Sequence, residues 1–305
     1  MSFRHYKDKI DEGDVVILYL SNNLHAIEVK PEIKNKKGEM VENVYQTTFG
    51  ALKVRNLIGS EYGSRVELSK GWGHVLQPTP ELWSLTLPHR TQIIYTPDIS
   101  MILLQLDLVP GSVVIEAGTG SGSLTHGLIR RIRPHGHVYT FDFHDHRAKV
   151  AQEEFESHGL SDFVTARHRD ILAEGFGDDL IGKADAVFLD LPSPWSGVPH
   201  AVTAIKSDGL LVIAQQWDSL NITIRVIVAM SAQVKLRATS YYLQRHAHST
   251  KRAFNDTQAL LLALTKCPAV IAAFSTLTNV WSRNMTYQCN RDLSHGGLDA
   301  ERTKV

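Results

Sequence analysis

The hydrophobic pattern divides the chain into two regions that predict different secondary structure. Residues 1 to about 76 carry short apolar runs separated by turn residues, beginning with Val15–Leu20. Short strands with regular turns predict a small barrel or sandwich. Within this region, residues 30–37 (KPEIKNKK) indicate a basic hairpin tip, which is either a solvated turn or a contact to phosphate.

Farther along the chain, strand-like and helix-like segments alternate. The predicted strands and helices cover residues 112–116, 123–133, 137–141, 147–158, 163–167 and 184–189, and further apolar elements fall at 210–213 and 222–230. Such alternation predicts a parallel sheet with helices on both faces, an α/β fold. We therefore expect a β domain over 1–76, a proline-containing linker and helix entry over 77–98, an α/β domain over 99–248 and a tail of unknown structure over 249–305.

Composition narrows the functional classes. The 305 residues include 32 Lys+Arg and 32 Asp+Glu, and 43% are hydrophobic, which excludes a disordered chain and a uniformly basic nucleic-acid coat. The two cysteines are Cys267 and Cys289, so we expect no Cys-based zinc site in the first 266 residues. The charged N-terminus and the lack of an 18-residue apolar run predict an intracellular protein that does not enter a membrane.

The strongest chemical signal is a glycine-rich turn after the first predicted α/β strand. The sequence Glu116-Ala-Gly118-Thr-Gly120-Ser-Gly122-Ser123 leads from that strand into a helix. Dinucleotide-binding proteins prefer G-x-G-x-x-G, whereas Ser123 occupies the place of the third glycine here. Because Glu116 also suits a cationic ligand better than a pyrophosphate, the motif favours S-adenosylmethionine over a nicotinamide dinucleotide. The alternative is a plain glycine turn.

Acidic residues follow the next two strands. Asp142 lies 142 − 118 = 24 residues after the first glycine, close to the spacing of about 20 expected of a ribose-binding carboxylate. It is therefore a candidate for the cofactor ribose, or else a surface cap, and Arg147 could close over the same ligand. Asp170 could hydrogen-bond the adenine amino group, although an aspartate in a loop is usually a turn or cap.

The last strand ends in Asp190-Leu-Pro192-Ser-Pro-Trp195. This loop is similar to the Asp/Asn-Pro-Pro-aromatic loop of enzymes that methylate amino nitrogens. A carboxylate at Asp190 would accept a hydrogen bond from an exocyclic amine and orient the adjacent ring nitrogen. Trp195 either stacks on the base or packs in the core. The polar residues 89–92 face the cofactor or a phosphate backbone, or form a plain helix-entry loop.

Four motifs together resemble the catalytic subunits of eukaryotic tRNA (adenine-58-N1)-methyltransferase. They are QPTPELW (77–83), LPHRTQIIYTPD (87–98), EAGTGSGS (116–123) and DLPSPW (190–195), and the resemblance runs from Met1 to about Gly209. It implies a Rossmann-like class I methyltransferase domain over 99–248, with S-adenosyl-L-methionine as cofactor and N1 of adenosine 58 in the T-loop of tRNA as target. It also implies a nuclear enzyme, in which two catalytic chains assemble with two related non-catalytic chains.

Together, the motifs and the resemblance assign residues to three roles. The catalytic residue is Asp190. The cofactor residues are Gln92, Ile94, Glu116, Gly118, Thr119, Gly120, Ser121, Gly122, Ser123, Asp142, Arg147, Asp170, Ile171 and Asp190. The tRNA-binding residues are Leu18, Tyr19, Leu20, Lys34, Lys36, Lys37, Gly71, Trp72, His89, Arg90, Pro192 and Trp195.

The chain departs from the family after Gly209. The Ser-Pro-Cys-Ile-Glu-Gln-like loop of the family and its final strand pair are not recognisable there. The alternatives are consequently a catalytically impaired variant or a non-catalytic RNA-binding subunit. A nicotinamide-dependent oxidoreductase is a further alternative, which the missing third glycine and the Asp190 loop disfavour.

Overall fold

A computed structural model of the protein describes residues 3–21, 23–218, 221–227 and 239–242. The sequence predictions for Cys267, Cys289 and the tail over 249–305 lie outside these residues. No helix among the described residues is long and apolar enough to cross a bilayer.

The N-terminal region is built from antiparallel strands. They are β1 (Val15–Leu20), β2 (Asn23–Glu28), β3 (Glu32–Lys34), β4 (Met40–Glu42), β5 (Val44–Thr47), β6 (Gly50–Lys53), β7 (Arg65–Leu68) and β8 (Gly71–Leu76). Four of them form a sheet in the order β2-β1-β8-β7, while β3-β4 and β5-β6 form separate hairpins. Apolar side chains from these strands, including Val16, Leu18 and Val75, enclose a small core of their own.

The basic segment forms the hairpin that its sequence predicts. Strands β3 and β4 pair through Ile33 and Val41, and Gly38 adopts a φ of +83° in the turn between them. The Asn35 side-chain oxygen accepts hydrogen bonds from the backbone N–H groups of Lys37 (2.8 Å) and Glu39 (3.0 Å). This local cap holds Lys36 and Lys37 at the exposed tip of the hairpin.

The proline-rich segment after β8 is folded rather than extended. Helix α1 (Pro80–Ser84) begins after Thr79, whose hydroxyl accepts a hydrogen bond from the Leu82 N–H at 3.3 Å. Proline is compatible with the first helical turn because its missing N–H has no partner there. Trp83 and Leu87 are buried in the main core. The prolines thus begin a helix that packs on the second region, and the segment is more than the connector that the sequence predicted.

The second region is the α/β unit that the alternating pattern predicted. Its elements are α2 (Thr96–Gln105), β9 (Val113–Ala117), α3 (Ser123–Ile132), β10 (His137–Asp142), α4 (Asp145–Ser157), β11 (Val164–His168), α5 (Ile171–Glu174), β12 (Ala184–Asp190), α6 (Pro194–Ala204), β13 (Ile205–Asp218), β14 (Asn221–Ile227) and β15 (Thr239–Tyr242). The sheet order is β11-β10-β9-β12-β13-β14-β15, and the first five of these strands are parallel.

Alternate residues of the parallel strands face opposite layers, as the two-residue period of a strand requires. Val114 and Phe188 pack in the layer that contains α2, α3 and α4. Ile115 and Leu189 pack in the layer that contains α5 and α6. Because all five parallel strands run the same way, the loops that follow β9, β10, β11 and β12 share one edge of the sheet.

Beyond Gly209 the sheet continues. Strand β13 covers the predicted strand at 210–213, and β14 covers most of the predicted element at 222–230. Strand β14 is antiparallel to both β13 and β15. A final antiparallel pair, which the sequence did not make recognisable, therefore borders the parallel strands.

Candidate active site

The glycine loop, defined here as Gly118–Gly122, connects β9 to α3. Gly118, Gly120 and Gly122 adopt φ values of +103°, +54° and +76°, which residues other than glycine rarely adopt. A Cβ atom added to Gly118 would lie 2.4 Å from the carbonyl oxygen of Asp190. The loop after β9 and the end of β12 are therefore in direct backbone contact, which brings the two strongest motifs of the sequence together.

Three carboxylates surround this loop. Glu116 is the penultimate residue of β9, Asp142 ends β10 and Asp190 ends β12. Asp142 is attached directly to the loop, because its carboxylate accepts a hydrogen bond from the Gly120 N–H at 3.1 Å. Adjacent parallel strands thus place three acidic side chains at one edge of the sheet.

The other two carboxylates affect the ionisation of Glu116. Burial is the main cause that raises the pKa of Glu116 to about 7, and the negative charges of Asp190 and Asp142 contribute to the same shift. Thr125, in the first turn of α3, opposes the shift by donating a hydrogen bond of 2.7 Å to the Glu116 carboxylate. A bound cation at this position would favour the ionised form of Glu116.

Asp190 is the candidate catalytic carboxylate. Burial raises the pKa of Asp190 to about 6. A carboxylate with this pKa is mostly ionised at neutral pH but exchanges a proton more readily than a surface aspartate does. Its position at the carboxyl end of β12 is where ligands bind in open α/β sheets.

Asp142 is occupied by protein partners. Arg147 donates to Asp142 through Nη2 at 2.8 Å and through Nε at 3.0 Å, and the His144 N–H donates at 2.9 Å. A carboxylate offers about four acceptor positions, so these bonds and the one from Gly120 nearly fill it. Ribose hydroxyls at Asp142 would therefore have to share the carboxylate with Arg147 or displace it.

Asp170 has the capping role that the alternative interpretation named. Its Oδ1 accepts hydrogen bonds from the backbone N–H groups of Leu172 (3.1 Å) and Ala173 (3.4 Å) at the start of α5. The other oxygen, Oδ2, takes part in neither bond. Ile171 is buried in the layer beneath α6, so its side chain supports this edge from within.

Residues before α2 form a wall against the glycine loop. The Ser121 hydroxyl oxygen accepts from the backbone N–H groups of Arg90 (3.1 Å) and Thr91 (3.2 Å). The Ser123 hydroxyl donates to the Ile94 carbonyl at 2.8 Å. Gln92 and His89 are exposed along this wall, and Ile94 is buried. The Ser121 and Ser123 side chains thus fix the loop to the preceding segment.

Part of the loop after β12 packs against the hydrophobic core. Trp195 is half-buried and packs against the apolar layer that contains Leu189 and Val198. Pro192 is exposed. In this structure the indole of Trp195 therefore makes core contacts of the kind that the packing alternative predicted.

The predicted tRNA residues of the N-terminal sheet fall on two faces. Leu18 and Leu20 are 0% and 1% exposed in the core of the small sheet, so their side chains are not available to RNA. Tyr19 and Trp72 are 40% and 49% exposed on the other face. The guanidinium of Arg65 lies 4.7 Å from the Trp72 ring centroid, which adds a cation to this aromatic surface.

Sequence reasoning missed Glu154, Thr125 and a buried histidine pair behind the loop. His126 Nδ1 donates to the Gly122 carbonyl at 2.7 Å, so Nε2 of a neutral His126 accepts from His158 Nδ1 at 2.9 Å. Burial lowers the pKa of His126 to about 4 and lowers that of His158 still further. No local spacing could have indicated a pair that joins residues 32 positions apart.

These histidines also belong to a group with metal-ligand chemistry. Ligand atoms of His126, Glu154 and His158 lie within 4.8 Å of one another. The two imidazoles hydrogen-bond each other, however, and Glu154 forms an ion pair with Arg90 at 2.8 Å. All three are thus engaged with protein partners.

A surface concavity of about 270 Å³ lies between α4 and β11. Asp145, Lys149 and His168 border it, and His168 Nε2 hydrogen-bonds the Phe143 carbonyl. None of its lining residues belongs to the glycine loop or to the Asp190 loop. The convergence of strand ends and carboxylates, rather than this concavity, marks the candidate site.

Comparison with known proteins agrees with the site chemistry. Residues 71–215 match the family described as tRNA methyltransferase complex GCD14 subunit. The chain is 43% identical to the tRNA (adenine(58)-N(1))-methyltransferase catalytic subunit TRM61 of Candida albicans over 74% of its own length and 67% of the relative. It is 48% identical to the corresponding subunit of Cryptococcus neoformans (67% of this chain, 45% of the relative) and 44% identical to that of Dictyostelium discoideum (67% and 63%).

Two solved structures share the fold. A SAM-dependent O-methyltransferase from Thermotoga maritima superposes with a TM-score of 0.62 and 24% identity, covering 86% of this chain and 80% of the other. The tRNA (m1A58) methyltransferase TrmI from Aquifex aeolicus superposes with a TM-score of 0.56 and 22% identity, covering 79% and 96%. They confirm the prediction of a Rossmann-like domain preceded by antiparallel strands.

The chain covers between 45% and 67% of the length of these three curated relatives. The similarity extends through the glycine loop, the Asp190 loop and strand β12, because the family match spans residues 71–215. The chain belongs to the family of catalytic subunits of tRNA (adenine(58)-N(1))-methyltransferase.

Proposed function

We propose that this protein transfers a methyl group from S-adenosyl-L-methionine to N1 of adenosine 58 in the T-loop of tRNA. The observation that carries the proposal is the convergence of Glu116, Asp142 and Asp190 around the glycine loop. Family membership supplies the methyl acceptor, since the relatives are named for adenosine 58 of tRNA.

The charge of the site favours a cationic cofactor. S-adenosylmethionine carries a positively charged sulfonium and an ammonium group, whereas a nicotinamide dinucleotide carries a negative pyrophosphate. Carboxylates at this edge of the sheet, two of them buried, would repel a pyrophosphate and attract the two cations. The Gly118 backbone is in contact with Asp190, so a donor bound at the glycine loop and a base bound at Asp190 would share one edge of the sheet.

Asp190 would act on the base rather than on the cofactor. When bound, S-adenosylmethionine supplies an electrophilic methyl group for in-line displacement by N1. Asp190 would accept a hydrogen bond from the exocyclic N6 amine, orient N1 and stabilise the positive charge that the base acquires. Its raised pKa allows it to receive the N6 proton as that charge is lost.

The N-terminal strands would hold the tRNA. Tyr19 and Trp72 present aromatic rings to solvent, and stacking of a base on such a ring contributes about 1–3 kcal/mol. Lys34, Lys36 and Lys37 are exposed on the β3–β4 hairpin and could contact phosphates. These contacts would be local, since the chain has no net positive charge.

We also propose assembly with a related non-catalytic subunit, as a heterotetramer of two chains of each kind in the nucleus. The family resemblance suggests this assembly and location, and the description of the matching family refers to a complex. The alternatives of an impaired variant or a non-catalytic subunit gain no support, because the glycine loop and all three carboxylates are in place. Strands β13 to β15 also continue the sheet past Gly209.

Calorimetric titration of the full chain tests the cofactor assignment. We expect S-adenosylhomocysteine to bind at one site and NADH to give no heat of binding. Binding of NADH without binding of S-adenosylhomocysteine would overturn the proposal in favour of an oxidoreductase.

A further inference from the structure

Arg90 makes an unusual set of contacts behind the glycine loop. Its guanidinium donates to the Ser121 carbonyl through Nη2 at 3.0 Å and, at the outer limit of 3.5 Å, to the Gly120 carbonyl through Nε. Through Nη1 it donates to the Glu154 carboxylate on α4 at 2.8 Å. One planar cation therefore joins the loop to a helix 64 positions away in the chain.

The backbone of the same residue completes the attachment. The N–H groups of Arg90 and Thr91 both donate to the Ser121 hydroxyl oxygen. The Arg90 and Glu154 side chains are only 14% and 13% exposed. Burial raises the pKa of Glu154, while the hydrogen bond and the charge of Arg90 oppose that shift. The pair is thus a largely desolvated ion pair, and removing one partner would leave the other charge buried without compensation, which lowers stability.

We propose that Arg90 is a positioning residue that sets affinity for the methyl donor by holding the glycine loop in its binding conformation. This inference rests on the function proposed above. It differs from the tRNA-contact role that the sequence suggested, because the buried guanidinium is committed to two loop carbonyls and to Glu154. Because Arg90 holds those carbonyls from behind, the backbone around Gly120 and Gly122, whose φ values are positive, is fixed by protein contacts, and the loop is preorganised.

Substitution of Arg90 by lysine distinguishes a phosphate contact from the positioning of the glycine loop. A phosphate contact needs mainly a positive charge, which Lys supplies as a point charge. The connection seen here needs a planar fork that reaches several acceptors at once, which Lys cannot reproduce. Arg90→Lys should therefore preserve a tRNA role but fail to preserve a positioning role.

The experiment measures two affinities for each variant of the full chain, co-expressed with the related subunit. Calorimetry gives the dissociation constant for S-adenosylhomocysteine, and filter binding gives that for tRNA. The variants are Arg90→Ala, Arg90→Lys and Glu154→Ala, and the matched control is Arg130→Ala. Arg130 also pairs with a carboxylate, that of Glu81, but its side chain is 45% exposed and makes no contact with the glycine loop.

We expect all three site variants to weaken S-adenosylhomocysteine binding by about tenfold or more, the loss typical of a charge-assisted hydrogen bond, with tRNA affinity changed less than twofold. The Arg90→Ala and Glu154→Ala effects should be non-additive in the double variant, because both break one connection. Arg130→Ala should leave both affinities unchanged.

Two outcomes would overturn the inference. One is weaker tRNA binding in Arg90→Ala that Arg90→Lys restores, with S-adenosylhomocysteine affinity unchanged. The other is wild-type affinity for both ligands in all variants. Glu154→Ala keeps the test decisive if Arg90→Ala does not fold. If the wild-type protein itself binds no S-adenosylhomocysteine, the proposed function fails, which is distinct from failure at Arg90.

Discussion

Gly118→Ala is the substitution whose cost follows most directly from the backbone of the site. The added Cβ would lie 2.4 Å from the Asp190 carbonyl oxygen, whereas real Cβ atoms essentially never come within 3.0 Å of such an atom. The backbones must therefore separate by at least 3.0 − 2.4 = 0.6 Å. Both partners are main chain, so neither can move aside by changing a rotamer.

Two terms contribute to the expected loss of stability. Placing alanine at a φ of +103° costs about 1–2 kcal/mol, the penalty of a left-handed conformation. Overpacking at a rigid contact adds about 1–3 kcal/mol. Gly111→Ala is a matched control because Gly111 has a φ of +97° but no heavy atom within 4 Å of the added Cβ. The difference between the two variants isolates the contact with Asp190.

Urea denaturation followed by circular dichroism measures both free energies of unfolding, and calorimetry measures S-adenosylhomocysteine affinity. We expect Gly118→Ala to lose about 1–3 kcal/mol more than Gly111→Ala and to lose ligand binding, since the displaced strand end is part of the site. Equal stability and equal ligand affinity in the two variants would refute the claim that the loop and the Asp190 strand are in contact.

Three further predictions concern other parts of the molecule. Because burial keeps His126 and His158 neutral in the folded state, their contribution to stability should be complete above pH 6.5 and be lost as the pH drops toward 4. The raised pKa values of Glu116 and Asp190 act in the opposite direction over this window, so the histidine contribution is the difference between wild type and His158→Asn in urea unfolding; the same pH dependence in both proteins would contradict the buried pair. Asp190→Ala should abolish methyl transfer while the affinity for S-adenosylhomocysteine stays near that of wild type, and transfer at a near wild-type rate in the variant would refute the catalytic role. The rate of the wild-type enzyme should decline below about pH 6, because the Asp190 carboxylate is then protonated. Trp72→Ala should weaken tRNA binding about tenfold, whereas Leu104→Ala, which removes another exposed apolar side chain, should not; equal tRNA affinity in filter binding would exclude stacking at Trp72.

The pattern of hydrophobic residues predicts most of the strands and helices of the α/β region. The strand at 112–116 was predicted within one residue of β9 at each end, because a buried strand bounded by a glycine loop has a strong local signature. The segment 77–88 was less accurately predicted. Its prolines indicate a connector, yet Pro80 begins a helix whose Trp83 is buried by tertiary packing.

The site was predictable where its chemistry lies in one contiguous motif. Gly118, Gly120 and Gly122 followed from their spacing, and Glu116 and Asp190 from their place at strand ends. The polarity of residues 89–92 draws attention to Arg90, but its partner Glu154 is 64 residues away, and only the packing of α4 against the loop reveals it. Leu18 and Leu20 were assigned with Tyr19 as one motif, although strand alternation turns their side chains inward.

Mapping of the methylated position in tRNA tests the central claim most directly. The full chain, co-expressed with the related subunit, is incubated with radiolabelled S-adenosylmethionine and with tRNA transcripts that carry adenosine or guanosine at position 58. We expect one N1-methyladenosine per molecule in the first transcript and no label in the second. Equal labelling of both transcripts, or label on a base other than adenosine 58, would contradict the account.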